Sequence, residues 1–407
     1  MPTRNVIVNK KEYFESFEGQ VHLWRKRRYR RLHFYFENKP KGYGHISEQD
    51  KNDFQETVKA TMSRLNRRPY RSNVALKIDI AVDQKNAPSA HRIPKGYIDL
   101  LYFGARTDQR KRSLLIKDDS QIKFLTVNYY VTEHEPHIRL TIDRLRHVVS
   151  DLQMLYWNDK DSENTNREHF CFDHEFNPED CRDILGNDSV RAMKYIQDHT
   201  RQGEMLETIN FNFWMFTILL YGYFLRNPLL AEIYKIQRNQ ILSFSSCINL
   251  GPPPLKSGGS IKFKDEIEKR LKNTLAEFRV SVPILHPLGC AIIVIQPDGH
   301  EYPDNQKDID NYAFHYVMPI VHRLLSPQTT LENIYHKYYP RAKGDTGGSN
   351  FNKGLPESVI QYQIVEIPRI DSDPIEGCVF MFIGKAEHSK CWWSELDHRI
   401  DMVVGRS

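Results

Sequence analysis

The chain carries the same pattern of apolar positions twice. In each half, apolar residues three or four positions apart predict an amphipathic helix. The first stripe consists of Phe54, Val58, Met62 and Leu65. The second consists of Ile267, Leu271, Leu275 and Phe278, each 213 positions after its counterpart (267 − 54 = 213). Ser47 and Ser260 precede the two helices at the same offset, and such internal repetition predicts a duplicated architecture.

Predicted strands follow each helix in the same order. Residues 76–82 alternate between apolar and polar, which predicts a half-buried strand, whereas 291–295 are apolar throughout and predict a more fully buried one. Two further pairs of strands match, Ile122, Phe124 and Thr126 with Ile360, Tyr362 and Ile364, and Ile138, Leu140 and Ile142 with Val379, Met381 and Ile383. The number of positions that separates matched residues is constant within each matched pair of elements and changes from one pair to the next, as loop insertions would cause. The alternative is that two unrelated amphipathic segments happen to share a register.

This pattern divides the chain into five parts. They are a basic and aromatic lead-in (1–45), a first unit (46–145), a mainly helical linker (146–250), a second unit (251–385) and a C-terminal tail (386–407). The linker contains an aromatic segment, 211–235, whose part 213–225 is hydrophobic all round, so it is either buried or covered by a partner protein. The tail contains Trp392 and Trp393, which could dock onto the body of the protein or onto a partner.

Composition favours a soluble protein of a reducing compartment. The six cysteines form no Cys-x-x-Cys pair, and the N-terminal residues lack the apolar stretch of a signal peptide. The longest apolar stretch, 213–225, is too short to span a bilayer. We therefore expect no membrane association and a cytoplasmic location, associated with the nucleoid if the protein binds DNA.

A dense cationic run near the N-terminus predicts contact with nucleic acid. It comprises Arg25, Lys26, Arg27, Arg28, Arg30 and Arg31. Trp24 and Tyr29 are interleaved with it, and this combination suits a phosphate backbone with bases that stack on the rings. The alternative is a basic surface that only contacts solvent.

Carboxylates lie at corresponding places in the two units. In the second unit, Asp308 and Asp310 precede an amphipathic helix that Pro319 should interrupt. Residues two apart in an extended segment point the same way, so the two carboxylates could share a divalent cation, although helix capping is the ordinary alternative. The first unit offers Asp99, and Asp118 with Asp119 directly before a strand.

These motifs resemble those of the RusA-type Holliday-junction resolvases. The resemblance rests on Asp308-Ile-Asp310-Asn, which leads into a helix, and on Asp118-Asp119-Ser-Gln-Ile, which opens a strand. The first unit keeps the family's spacing between the two motifs (119 − 99 = 20), and the second lengthens it (357 − 310 = 47). The resemblance implies small α+β endonucleases that act as dimers, with a magnesium-binding aspartate cluster in each subunit.

The resemblance also implies roles for individual residues. Asp308, Asp310 and Glu357 would be the catalytic and metal-binding cluster of the second unit, and Asp99, Asp118 and Asp119 what remains of a degenerate site in the first. The chain departs from the family at Tyr97, which stands where the second unit has Asp308, and at Phe103 and Phe314, where the family has a lysine. Basic residues of the later insert could substitute for that lysine and bind nucleic acid, namely Lys337, Arg341, Lys343 and Lys353.

The sequence therefore predicts an α+β protein of two tandem RusA-like domains, a pseudo-dimer joined by a helical linker. We expect an endonuclease that depends on Mg²⁺, or on Mn²⁺ in its place, and acts on branched DNA, nicking if one site is competent. One alternative is a composite site in which Asp308 and Asp310 face Asp118 and Asp119 across the pseudo-dimer. Another is a catalytically inactive nucleic-acid-binding or scaffolding subunit, and RNA remains open as the substrate.

Overall fold

The computed structural model describes most of both predicted units. The described residues are 10–37, 39–83, 88–102, 114–132, 134–161, 219–220, 222–223, 228–243, 247–253, 260–279, 288–301, 308–324, 359–385 and 392–405. Glu357, the basic residues of the insert (Lys337, Arg341, Lys343 and Lys353) and most of the aromatic segment 211–235 lie outside these ranges.

The described residues form one eight-stranded mixed sheet. Its strands are β1 (Leu32–Phe36), β2 (Val74–Val82), β3 (Ile122–Val131), β4 (His137–Arg144), β5 (Ile248–Gly251), β6 (Leu288–Ile295), β7 (Val359–Glu366) and β8 (Cys378–Lys385). Their order across the sheet is β1-β4-β2-β3-β7-β6-β8-β5. The pairs β2–β3 and β6–β7 are parallel, and the remaining neighbours are antiparallel.

The strand order has a symmetry that the repeat anticipates. Read outward from the centre, β3-β2-β4-β1 in one direction corresponds to β7-β6-β8-β5 in the other. The two central strands meet antiparallel, with Phe124 opposite Val365. The predicted α+β class is confirmed, and all six strands named from the sequence are strands. The two halves share one continuous sheet, and β1 and β5 fall in the stretches that the sequence assigned to the lead-in and the linker.

Helices cover both faces of the sheet. They are α1 (Lys10–Glu15), α2 (Phe17–Arg30), α3 (Glu48–Arg64), α4 (Arg92–Leu100), α5 (Leu145–Asp161), α6 (Pro228–Ser243), α7 (Ser260–Arg279), α8 (309–324) and α9 (Trp392–Gly405). Ser47 begins α3 with a capping box, in which Ser47 and Asp50 each accept a hydrogen bond from the other's backbone N–H. Ser260 is instead the first residue of α7.

The buried apolar side chains of the described residues form two clusters, one on each face of the sheet. On one face, α3, α4, α7 and α8 pack on β-strand side chains such as Leu76 and Ile292. On the other face, α2, α5 and α9 pack on the alternate residues, such as Ala75 and Ile293. Among the described residues, no helix is both long enough and apolar enough to cross a membrane.

The C-terminal tail belongs to the second of these clusters. Trp392 and Trp393 are 0% and 1% exposed, and the ring of Trp392 packs edge-on against Phe124 with centroids 5.0 Å apart. The guanidinium of Arg31 lies over the ring of Trp393, 5.0 Å from its centroid. The prediction that these tryptophans could bind a partner protein is wrong, because both rings are enclosed by the protein itself.

Candidate metal centre

Three elements bring carboxylates of both halves to the centre of one sheet edge. Asp99 lies near the end of α4, and Asp119 opens the 3₁₀ turn that leads into β3. Asp310 is the second residue of α8. The start of β3 lies beside the end of β7, and the end of β7 lies beside the end of β6. Because the chain reaches Asp310 after leaving that end of β6, Asp310 meets two aspartates of the first half.

A lysine stands at the centre of this carboxylate cluster. Lys95 of α4 is buried, with 8% of its side chain exposed. Its Nζ lies 2.9 Å from Asp99 Oδ1, 3.1 Å from Asp119 Oδ2 and 2.8 Å from Asp310 Oδ2. Burial alone would lower the pKa of Lys95, but the surrounding carboxylates outweigh it and raise that pKa above its ordinary value. Lys95 is therefore a permanent cation at neutral pH.

Asp310 is the most deeply placed of the carboxylates. Its side chain is 3% exposed, and burial raises its pKa to about 6 although Lys95 opposes that shift. One oxygen, Oδ2, contacts Lys95, whereas the other, Oδ1, is buried without a hydrogen-bond partner. A buried carboxylate oxygen without a partner is costly, so it marks a place where a further cation or donor would be stabilising.

Asp308 adds a fourth carboxyl group. It is the N-cap residue of α8 but makes no capping hydrogen bond with its side chain. It is instead hydrogen-bonded to Asp119. Burial raises the pKa of Asp308, and the charges of Asp119 and Asp310 raise it further. Two carboxyl groups share a hydrogen bond only when one of them carries a proton, so Asp308 can hold a proton beside Asp119.

The shape of α8 follows from its sequence. Its first turn, Ile309–Asn311, and its last part, Met318–Leu324, are α-helical, but Tyr312–Val317 between them is π-helical. Pro319 lacks an N–H and its ring would clash with the carbonyl of the residue four positions earlier, and the wider π turn accommodates it. The helix is distorted before Pro319 and continues through it to Leu324, so Pro319 does not split the helix.

A chain of polar contacts fixes the start of α8 to the sheet. Tyr312 donates a hydrogen bond to Gln296 (3.1 Å), and Gln296 donates one to Glu366 at the end of β7 (2.9 Å). Glu366 also pairs with Lys123 of β3, with 2.5 Å between Nζ and Oε1. The carboxylates of α8 are therefore held in register with the first half, where Asp119 lies four residues before Lys123.

The structure places some of the predicted acidic residues in one cluster and leaves others outside it. Asp99, Asp119 and Asp310 each offer an oxygen, and these oxygens all lie within 4.8 Å of one another. Asp118, predicted as a ligand, is exposed and accepts a hydrogen bond from the backbone N–H of Ser120 at 3.1 Å, which makes it a cap of the 3₁₀ turn. Glu357 lies outside the described residues, so its predicted role stays a prediction.

The cluster draws on both halves of the chain. Asp308 and Asp310 lie against Asp119, as the composite alternative expected, but Asp99 joins the cluster and Asp118 stays outside it. Two separate half-sites were expected because the motifs were assigned within each unit. The antiparallel meeting of β3 and β7 instead places the second half's motif against the first half's. Lys95 was missed altogether. Lys95 stands four residues before Asp99, a spacing that places both side chains on one face if the segment is helical, and that signal could have found it.

Histidines occupy the other end of the α4–α8 pair. The rings of His91, directly before α4, and His322, near the end of α8, have centroids 4.6 Å apart. Burial lowers the pKa of His91 to about 3 and that of His322 to about 4, and the positive charge of Arg92 contributes in the same direction. Among the described residues, the aspartate cluster is the one group of three or more side chains arranged to hold a metal.

The basic run divides into structural and exposed residues. Arg27 pairs with Asp151 at 2.5 Å, Arg28 pairs with Asp401, and Arg31 pairs with Asp397 at 2.6 Å. Arg31 is buried, and the three ion pairs join α2 and the residue that follows it to neighbouring helices. The predicted contact of these arginines with nucleic acid stays a prediction. The remaining predicted contacts, Arg25, Lys26 and Arg30, are exposed on α2.

No protein-family model matches this chain, and comparison with curated proteins and with solved structures likewise finds no match.

Proposed function

We propose that this protein is a metal-dependent endonuclease with one composite active site per chain, acting on branched DNA. The observation that carries the proposal is the convergence of Asp99, Asp119 and Asp310, whose oxygens lie within 4.8 Å of one another although they come from both halves of the chain. Clustered carboxylates of this kind are the usual ligands of Mg²⁺ in enzymes that cleave phosphodiesters.

The donor set fits a divalent cation. All candidate ligands are carboxylate oxygens, which Mg²⁺ and Mn²⁺ both accept. The single ammonium of Lys95 neutralises one of the three negative charges, so the site retains an excess of negative charge when the three aspartates are ionised. The unpartnered Oδ1 of Asp310 supplies a free lone pair inside the cluster.

The residues of the site have distinct chemical tasks in this proposal. Asp99, Asp119 and Asp310 would hold the metal, which would supply an activated water and relieve negative charge on the phosphate. Asp308, with its raised pKa and its hydrogen bond to Asp119, can hold a proton beside the ligands and pass it to a leaving oxygen. Lys95 presents a fixed positive charge that can stabilise the additional charge of the transition state.

The architecture supports reading the chain as a fused pair of RusA-like domains. The matched strand order on either side of the β3–β7 contact is what a homodimer with a twofold axis through its central sheet would give after fusion. Lys95 then takes the part of the family's lysine, contributed by α4 instead of α8. With one such cluster per chain, each chain would cut one strand, and paired cuts would need two chains.

A second candidate is a catalytically inactive nucleic-acid-binding subunit. The observation that favours it is the three ion pairs of Lys95, because an ammonium can replace a metal as the cation that holds carboxylates together. The two candidates differ in one respect that can be measured, since the inactive subunit would bind branched DNA equally well with and without a divalent cation and would never cut it.

Cleavage of labelled four-way-junction, nicked and linear DNA with Mg²⁺ tests the proposal. The Asp308→Asn/Asp310→Asn double variant should lose cutting, whereas Asp118→Asn, an aspartate of the same motif outside the cluster, should keep it. Cutting that survives in the double variant would place the activity elsewhere or assign it to a contaminant. Binding without cutting in every protein would favour the inactive subunit.

A further inference from the structure

A concave, arginine-rich surface lies at the same edge of the sheet as the aspartate cluster. Two adjoining cavities of about 520 and 880 Å³ share Arg30, Ser72, Arg146 and His147 in their walls. The first is also lined by Arg67, Arg68, Arg71 and Arg144. We call Arg30, Arg67, Arg68, Arg71, Arg144 and Arg146 together the arginine surface.

The charges of this surface are not neutralised by the protein. Among the residues that the structure describes, none of its six arginines forms an ion pair with a carboxylate. The acidic residue in the wall, Asp143, is already engaged by His147 at 2.8 Å and by Arg31 at 3.7 Å. Arg67 has a buried Nε without a hydrogen-bond partner, which points to a missing acceptor. Arg27, Arg28 and Arg31, which are close to Arg30 in sequence, differ because each is paired with an aspartate.

The arginine surface is joined to the aspartate cluster by the backbone. The start of β2 lies beside the end of β4 and beside the start of β3, with Val74 opposite both Arg144 and Ile122. Gln121 donates hydrogen bonds to the carbonyls of Ser72 (3.0 Å) and Tyr70 (3.3 Å) in the arginine-bearing loop. Gln121 follows Asp119 by two residues, a Cα separation of at most about 7 Å. The loop and the cluster are thus held together.

The six arginines of this surface all belong to the first half of the chain. At the offset that relates α3 to α7 (267 − 54 = 213), Arg67, Arg68 and Arg71 correspond to Val280, Ser281 and Ile284. At the offset of the last strands (379 − 138 = 241), Arg144 corresponds to Lys385 and Arg146 to Glu387. The second half thus keeps a basic residue at one of these five positions, so the repeat itself does not require this concentration of arginines.

We infer that the arginine surface is a binding site for the phosphate backbone of a nucleic acid, and that the backbone reaches the aspartate cluster from this side. Unpaired guanidinium groups in a concave wall match the geometry and charge of successive phosphates better than those of isolated anions. The inference goes beyond the proposed nuclease, because a chain that binds nucleic acid without cutting it would keep this surface.

The test is duplex binding in EDTA, where metal-dependent cutting is absent. A labelled 25-base-pair duplex is titrated with the full chain at several salt concentrations, followed by fluorescence anisotropy. The variant Arg68→Gln/Arg71→Gln/Arg146→Gln removes three exposed charges. The control Lys262→Gln/Lys264→Gln/Lys269→Gln removes three exposed charges from α7, the counterpart of α3.

We expect the arginine variant to bind at least about tenfold more weakly and to lower the slope of log K against log salt by about 2 to 3, since each phosphate contact contributes about 0.9. The control should bind like the wild type. Equal weakening by both variants, or by neither, would overturn the inference. Arg67→Gln should also weaken binding if the buried Nε of Arg67 meets a phosphate. A thermal unfolding curve with an unchanged midpoint shows that each variant is folded.

Because this assay needs no catalysis, it separates the two proposals. If the arginine variant binds more weakly and no protein cuts DNA, the arginine surface is supported and the nuclease proposal is not. If the wild type cuts DNA and the arginine variant binds as tightly as the wild type, the nuclease proposal is supported and the arginine surface is not. Competition by single-stranded RNA or by an acidic protein distinguishes a backbone site from a general acidic-ligand site, and displacement by the acidic protein alone would contradict the inference.

Discussion

The two ends of the α4–α8 helix pair contrast in chemistry. At one end, Lys95 and Asp99 of α4 meet Asp310 of α8. At the other, His91 and His322 lie against each other, buried and held neutral by desolvation. One end thus concentrates carboxylates around a buried ammonium, and the other excludes charge. One pair of packed helices can therefore hold a charged cluster at one end and neutral, buried rings at the other.

The largest effect should come from removing a carboxylate at the charged end. Asp310→Asn should lower the cleavage rate by at least about 100-fold, because it removes a ligand and leaves the metal site with less charge. Single-turnover cleavage at saturating enzyme measures the loss. His91→Gln, at the neutral end, should leave the rate within about threefold of the wild type, and a comparable loss there would erase the contrast between the ends.

Lys95→Gln should separate metal binding from cleavage. Without the ammonium, three close carboxylates repel one another, so the metal-free variant should be less stable than the wild type and should gain more stability from Mn²⁺. Cleavage should still fall by about 100-fold, because a fixed positive charge is lost. Thermal unfolding with and without Mn²⁺ measures the first effect. An unchanged response to Mn²⁺ would mean that the ammonium does not compete with a metal.

The neutral end should make stability depend on pH. Both histidines have folded-state pKa values, about 3 and about 4, below the unfolded value of about 6.5, so the unfolded chain binds more protons between these limits. Their stabilising effect is therefore complete above about pH 6.5 and is lost as the pH falls, by up to about 1.4 kcal/mol per histidine per pH unit. Urea unfolding at pH 7.5 and 5.5 measures it.

The matched control for that experiment lies on α9. His91→Gln/His322→Gln should flatten the pH dependence of the free energy of unfolding over this range. His398→Gln, at an exposed histidine, should leave the dependence as in the wild type. If the double variant keeps the full slope, other groups set the acid sensitivity of the fold.

The smallest expected effect is a difference in the free energy of unfolding between substitutions at the starts of the two repeated helices. Ser47→Ala removes the capping box of α3 and should lower the free energy of unfolding by about 1 kcal/mol. Ser260→Ala, at the first helical residue of α7, should cost less than about 0.5 kcal/mol, because alanine is a better helix former there. Equal losses would mean that the two starts are equivalent after all.

Local patterns were enough to predict most of the elements. The stripes of α3 and α7 and the alternation of β2 follow from the periods of helix and strand, which depend on nearby residues alone. The pairing of β3 with β7 does not, because it joins segments more than two hundred residues apart. The composite cluster depends on that pairing. Because the pairing is not visible in the sequence, each motif was assigned to its own half.

The ion pairs of the basic run could not be predicted for a related reason. A sequence shows where charges are dense but not which acidic residues the fold places beside them, so the partners of Arg27, Arg28 and Arg31 became visible only in the structure. The same limit concealed the arginine surface, whose members lie between positions 30 and 146 and come together through the sheet. Lys95 was overlooked because its partners Asp119 and Asp310 are distant in sequence.

The central claim is that one metal site is built jointly by the two halves. Electron paramagnetic resonance of Mn²⁺ binding, carried out on the wild type, Asp99→Asn, Asp310→Asn and the Asp118→Asn control, tests it most directly. We predict one tight Mn²⁺ per chain, lost on substitution of either Asp99 or Asp310 and retained in Asp118→Asn. Two Mn²⁺ per chain, with each substitution removing one, would contradict a composite site.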